Sequence, residues 1–468
     1  MKRLPLAIWA MVVGAFAMGA DEFIVAGVVR EIASALDVSL GAVGHLESVY
    51  ALGVAIGAPL FTVLGVRFGR RSMLFTTTAV FLLGNILSAL APTYGWVMAG
   101  RVVSAMAHGA FLGIAAVFAA ELVDPVRKGR AVAVVFSGLT ASTVLGAPIG
   151  AAVGQAFGWR FTFWTLVVLG GVALLGLLAT LPSGAGVART TTPEHPEPHD
   201  GHHGTHAAHH EAPSGQEFEG LDAHALAHLG GGGQGPTMRE QAFALRRPAV
   251  WGALLTTLLG YGGVFTSYVY VAPQITDVAG LDARWITPLL LLFGAGLFVG
   301  NALGGRFADK DLRLSVVVTL AVLATTLMAL TVAIQSPVTA VPMMFVFGVA
   351  AFAVVAPLQL RVMTAAGHAP DVASAANISA FTLGSAVGIY LGGAAIDGGL
   401  GLASVNWIGG LMTLTGLVVA LVTLRHGGSR EEHHDHAARV GGHPQVGASH
   451  HGVDEATPRD PAHVLHMH

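Results

Sequence analysis

Apolar runs of about 20 residues, separated by short polar breaks, fill most of this chain. The first set falls at 6–29, 43–64, 73–91, 95–120, 131–155 and 161–181. The second falls at 249–273, 285–308, 314–334, 338–362, 372–396 and 402–424. At 1.5 Å rise per residue, each run is long enough to cross about 30 Å of hydrocarbon as a helix. Internal Pro59, Pro148 and Pro357 do not break that reading, because neighbouring helices in a bundle satisfy freed backbone groups. The pattern predicts an all-α polytopic membrane protein of twelve transmembrane helices in two six-helix halves.

Two polar stretches interrupt the pattern. Residues 183–248 carry a four-glycine run at 230–233, several prolines and no apolar periodicity, and residues 426–468 are similar in kind. Neither can bury enough apolar surface to fold alone. The expected organisation is a six-helix half at 1–182, a disordered His-rich linker at 183–248, a second half at 249–425 and a disordered His-rich tail at 426–468. These two stretches hold 19 of the 22 histidines, among them His202, His203, His206, His209 and His210. Imidazoles at such density can bind divalent transition metals, or serve as a near-neutral solvated spacer.

Lys and Arg set the orientation. With the N-terminus cytoplasmic, the short cytoplasmic loops and ends hold 12 of them, against 3 on the opposite side. Both termini are therefore expected in the cytoplasm, with the chain in the cell membrane. The first apolar run resumes at Phe23 after the small residues Met18-Gly19-Ala20, so it reads as a full span and not a cleaved leader.

Composition narrows the chemistry. The chain is 53% hydrophobic and 11% charged with a net charge of -3, so it lacks the polar residues of a soluble enzyme and the basic field of a nucleic-acid binder. Zero cysteines exclude thiol chemistry and disulfides. No nucleophile–base set is legible and no cofactor is implied.

Ionisable groups inside spans are functional candidates by default, since a charge there costs about 2.5–3.5 kcal/mol on insertion scales. Asp21 and Glu22 lie in the first run and Arg101 in the fourth. Counted by helical rise, the acids sit roughly 12 Å and the arginine roughly 9 Å from the outer face. At such similar depths a carboxylate and a guanidinium can pair. Adjacent helical residues point about 100° apart, so only one of the two acids is expected to face a given partner. His108, two turns beyond Arg101, is a relay, a substrate contact or a hydrogen-bonded interior histidine. In the second half Tyr261, Tyr268 and Gln359 are the polar handles expected at the cavity. Gly146, Gly150 and Gly154 form one four-residue ladder, with Pro148 inside it, and Gly296, Gly300 and Gly304 form another. Such ladders allow close helix contact, and spans five and eight are expected to be sliding or rocking surfaces.

These features together resemble the major facilitator superfamily. The run Gly65-Val66-Arg67-Phe68-Gly69-Arg70-Arg71 resembles its conserved "DRxGRR" loop, with Val66 in the place of the usual Asp. Gly304-Gly305-Arg306-Phe307-Ala308-Asp309-Lys310 resembles the second-half copy. Gly100-Arg101-Val102-Val103-Ser104 resembles the family's Arg-bearing proton-coupling motif, and Leu145-Gly146-Ala147-Pro148-Ile149-Gly150 the antiporter signature, with Ala147 inserted between Gly and Pro. Asp21-Glu22-Phe23 and the run from Tyr50 to Pro59 are similar to the proton-driven drug and sugar efflux group, the arabinose-efflux-like and chloramphenicol-exporter-like permeases. The resemblance implies a monomeric, proton-coupled exporter of a small organic substrate that works by alternating access. It implies proton coupling at Asp21, Glu22 and Arg101, and a cavity lined by spans one, four, seven and ten. Export of a transition-metal ion through the His-rich segments, or sensing without transport, are the competing expectations.

Overall fold

The computed structural model describes residues 4–124, 127–181, 246–367 and 370–440, with backbone alone at 58–59, 61–68, 370–371 and 426–440. His202, His203, His206, His209 and His210 lie outside the described residues, as does the Arg67 side chain. Spans one to six are Leu6–Gly27, Leu40–Gly57, Arg70–Ala89, Tyr94–Glu121, Lys128–Phe157 and Trp159–Thr180. Spans seven to twelve are Pro248–Tyr268, Ala283–Lys310, Leu312–Ala333, Pro337–Ala366, Val372–Leu400 and Ser404–Arg425. Among the described residues there is no strand. The spans pack as one compact unit that ends at Leu424.

Local chemistry sets the helix ends. Ser39 accepts the Ala42 amide at 2.9 Å and Asp311 the Leu314 amide at 2.9 Å, capping spans two and nine. Pro248 and Pro337 occupy first turns, where a missing N–H costs nothing. The turns between spans two and three and between five and six each need a left-handed residue, supplied by Gly69 and Gly158 with φ of 74° and 93°.

Three spans are broken partway. Span one leaves α-helical geometry after Phe23 and ends in a 3₁₀ turn over Ile24–Gly27. Span ten divides at Val354. There Pro357 has no N–H for the Ala353 carbonyl, and its ring crowds that oxygen. Beyond Tyr268, span seven gives way to irregular turns ending in a π-turn at Gln274–Val278. A closed network holds that last segment. Ser267 donates to Asn406 Oδ1 at 2.5 Å, Asn406 to Gln274 Oε1 at 2.7 Å, and Gln274 back to the Ser267 carbonyl at 3.2 Å.

The glycine ladders work inside the halves. A Cβ at Gly150 would meet the Ile24 carbonyl at 2.4 Å and one at Gly154 would meet Val28 at 2.2 Å, so the ladder of span five seats span one. A Cβ at Gly296, Gly300 or Gly304 would collide with Phe345, Val349 or Ala353, so that of span eight seats span ten. The ladders themselves thus serve packing inside each half. Where the two halves approach along spans five and eight, Gly294 lies on Val144.

A buried charge cluster and a cavity between the halves

Arg101 of span four is fully buried and sits between two carboxylates. Its Nη1 donates to Asp21 Oδ1 at 2.5 Å and to the Asp21 carbonyl at 2.9 Å. Its Nη2 donates to Glu47 Oε1 of span two at 2.7 Å. Asn85 of span three donates to the other Asp21 oxygen at 3.2 Å. The guanidinium stacks 3.9 Å over the Tyr50 ring, adding a cation–π contact. Tyr50 Oη lies 3.0 Å from His108 Nδ1, so His108 is turned into the half against Tyr50. Four spans thus contribute to one dry cluster.

Glu47 was not among the residues expected here, although it interrupts the second apolar run. Its spacing from Tyr50 (i, i+3) puts both on one helix face, a signal that the sequence carried.

The adjacent acid turns the other way. Glu22 lines a cavity of ≈ 190 Å³ between the halves, together with Phe23, Leu139, Thr143, Tyr261, Phe352, Val355, Phe381, Thr382 and Ser385. These come from spans one, five, seven, ten and eleven, so span four contributes no lining residue and Arg101 is walled off behind span one. Glu22 is the one charged side chain in this lining. Tyr261 packs edge-on to Phe381 with ring centroids 4.7 Å apart. Tyr268 does not line the cavity. It belongs to an aromatic roof in which it touches Phe23 at 6.0 Å and Phe293 at 4.8 Å. Gln359 is also outside the lining, because its amide is engaged by Ser374 at 2.6 Å and Asn377 at 2.6 Å.

Beyond the roof the halves are joined. Arg30 pairs with Asp277, Ser39 donates to Asp397 at 3.0 Å, and Gln155 donates to the Ala283 carbonyl at 3.0 Å. His45 stacks on Tyr390 at 5.1 Å, and the Tyr270 hydroxyl fills the space that a Cβ at Gly44 would need. All these contacts lie at the end opposite the arginine-rich loops.

At the arginine-rich end, Arg70 ion-pairs with Glu121 of span four. Arg71 stacks 5.3 Å over Phe75 and donates to the Leu181 carbonyl at 3.4 Å. Arg306 and Asp309 are exposed at the end of span eight. Among the described residues no three His, Asp or Glu converge to hold a metal ion.

The sequence matches the family model of the Major Facilitator Superfamily over residues 11–389. It is 35% identical over 416 residues to the inner membrane transport protein YdhP of Escherichia coli (strain K12), covering 89% of this chain and 95% of that one. It is 32% identical to a chloramphenicol resistance protein of Streptomyces lividans, covering 89% of this chain and 96% of the relative. The fold is similar to the crystal structure of a D-xylose-proton symporter, with a TM-score of 0.62 at 17% identity and coverage of 89% and 96%. Span architecture, whole-length relatives and fold agree: the chain belongs to the major facilitator superfamily and is a multi-pass cell-membrane transporter.

Proposed function

We propose that this transporter exports a small amphipathic organic molecule in exchange for protons. The observation that carries the reading is the division of labour between neighbouring acids. Asp21 shares Arg101 with Glu47 in a dry cluster, while Glu22 opens into the cavity between the halves. Two carboxylates facing one guanidinium leave a unit of negative charge in excess, and an uncompensated charge is costly in a buried site. A proton resident in the cluster cancels it. Glu22 is the group that cavity water and substrate can reach, so it is the acid at which a proton is exchanged for substrate.

The cavity suits an organic cation with an apolar body. One carboxylate supplies the charge, Tyr261, Phe23 and Phe381 supply aromatic surface, and Thr143, Thr382 and Ser385 supply hydroxyls. Cation–π contact in such a desolvated site is worth up to about 2 kcal/mol. Substrate entering from the cytoplasm displaces the Glu22 proton. Rocking of the halves opens the outer seal made by Arg30–Asp277 and its neighbours, and an outside proton then replaces the substrate. Exchange of one proton for one monovalent cation moves no net charge, so the pH gradient drives it, with about 1.4 kcal/mol, a tenfold accumulation, per unit of pH.

The test is uptake into inverted vesicles with and without a pH gradient. Glu22→Gln should abolish gradient-driven accumulation while leaving expression and insertion intact. Undiminished accumulation by Glu22→Gln, Asp21→Asn and the double variant would rule out proton exchange at these acids.

A further inference from the structure

Two arginines are buried among the described residues, and proton exchange as proposed above uses one of them, Arg101. The other, Arg361 of span ten, is 8% exposed. Its Nη1 donates to the Thr256 hydroxyl of span seven at 3.0 Å, and its Nη2 bonds the Thr423 hydroxyl of span twelve. Both partners are neutral. Among the described residues the carboxylates that make ion pairs go to Arg30, Arg70, Arg101, Arg127 and Arg284, and none goes to Arg361. A buried cation held by two hydroxyls alone still lacks its counter-charge.

Depth shows where that charge can come from. Arg361 lies five residues before the end of span ten at Ala366, and the helix that carries Thr423 runs on to Val440. By helical rise Arg361 is roughly 7.5 Å from that end, within headgroup reach of a side chain as long as arginine. Thr423 is half-buried and not sealed. The same end carries Arg247, which is exposed and donates to the Ala366 carbonyl at 3.4 Å. Arg247 at the Ala366 carbonyl and Arg361 between spans seven and twelve thus both engage the end of span ten, on the arginine-rich side that the positive-inside rule makes cytoplasmic. Guanidinium forks recognise phosphate oxygens, and basic recesses between helices on the cytoplasmic side suit anionic headgroups.

We propose that this junction binds the phosphate of an anionic phospholipid from the cytoplasmic leaflet, with Arg361 as its buried cation, Thr256 and Thr423 as the acceptors that hold the guanidinium in place, their own protons going to the Gly252 and Val419 carbonyls, and Arg247 at its rim. The lipid would complete the second half by supplying the negative charge that none of its described carboxylates brings to Arg361.

The test compares thermal unfolding of the full chain in nanodiscs of phosphatidylcholine with unfolding in nanodiscs of equal phosphatidylcholine and phosphatidylglycerol. Wild type should melt several degrees higher in the anionic discs. Arg361→Gln, which keeps donors for both threonines and removes the charge, should melt no lower than wild type in phosphatidylcholine and should lose the anionic increment. The order of the two proteins thus reverses with the lipid. Arg247→Gln, which leaves the buried site intact, should retain part of the increment, and keeps the proposal testable if Arg361→Gln does not fold. An equal increment in Arg361→Gln and wild type overturns the site. An equal increment from inorganic phosphate in phosphatidylcholine discs overturns the lipid assignment in favour of a soluble anion.

Discussion

The two six-helix halves hold buried arginines in opposite ways. In the first, Arg101 meets two carboxylates, an aromatic face and a second layer of Asn85 and His108. In the second, Arg361 meets two hydroxyls, and no acid is buried among the described residues of that half. The second half instead secures its broken span with the neutral Ser267–Asn406–Gln274 network. An excess of buried acid can hold and release a proton, whereas a satisfied amide network can only hold shape. Under the proposed exchange, charge movement belongs to the first half and shape to the second, and the cavity between them takes Glu22 from one and Tyr261 from the other.

Four substitutions break or sharpen that contrast. Arg101→Gln leaves both carboxylates without their cation, and breaking a buried pair from one side costs about 3–5 kcal/mol. The expected result is a large drop in melting temperature and no transport. A melt close to wild type would mean the cluster is wetter than its burial indicates. Asn406→Leu removes the centre of the neutral network and strands Ser267 and Gln274, costing about 1–3 kcal/mol. It should loosen the end of span seven, read as faster amide exchange around Gln274, and leave proton coupling in place.

Tyr50→Phe removes the hydroxyl that meets His108 but keeps the ring under Arg101, so a loss of about 1 kcal/mol is expected by chemical denaturation. Glu47→Gln is the most discriminating and should change stability least. It leaves one carboxylate to one guanidinium, and if a proton already cancels the excess charge, the melting temperature stays where it was. A destabilisation as deep as that of Arg101→Gln would show that both carboxylates are ionised at rest.

Much of the architecture was legible because a bilayer allows so few solutions. A run of apolar residues that must satisfy its own backbone hydrogen bonds becomes a helix, and the twelve runs read from the chain reappear as twelve spans with ends shifted by a few residues. Depth was legible too: Asp21 and Arg101, placed by rise alone at similar heights, lie in direct contact. Direction was not. That Asp21 turns to Arg101 and Glu22 to the cavity depends on the rotation of span one, which Gly146, Gly150 and Gly154 fix by letting span five approach its backbone. Linear spacing put Gln359, His108 and Tyr268 among the cavity residues. The structure gives their polar groups or faces to Ser374, Tyr50 and the aromatic roof.

The sequence by itself determined what must be buried, how many times the chain crosses and which residue types carry charge into the bilayer, because those follow from composition and the one-dimensional rise of a helix. Tertiary structure alone decided which carboxylate meets which cation, that Glu47 joins Asp21 at Arg101, and that Arg361 meets two hydroxyls and, among the described residues, no acid. A pairing at 2.7 Å is a property of how four helices are rotated about their own axes, and rotation is set by packing between segments far apart in the chain.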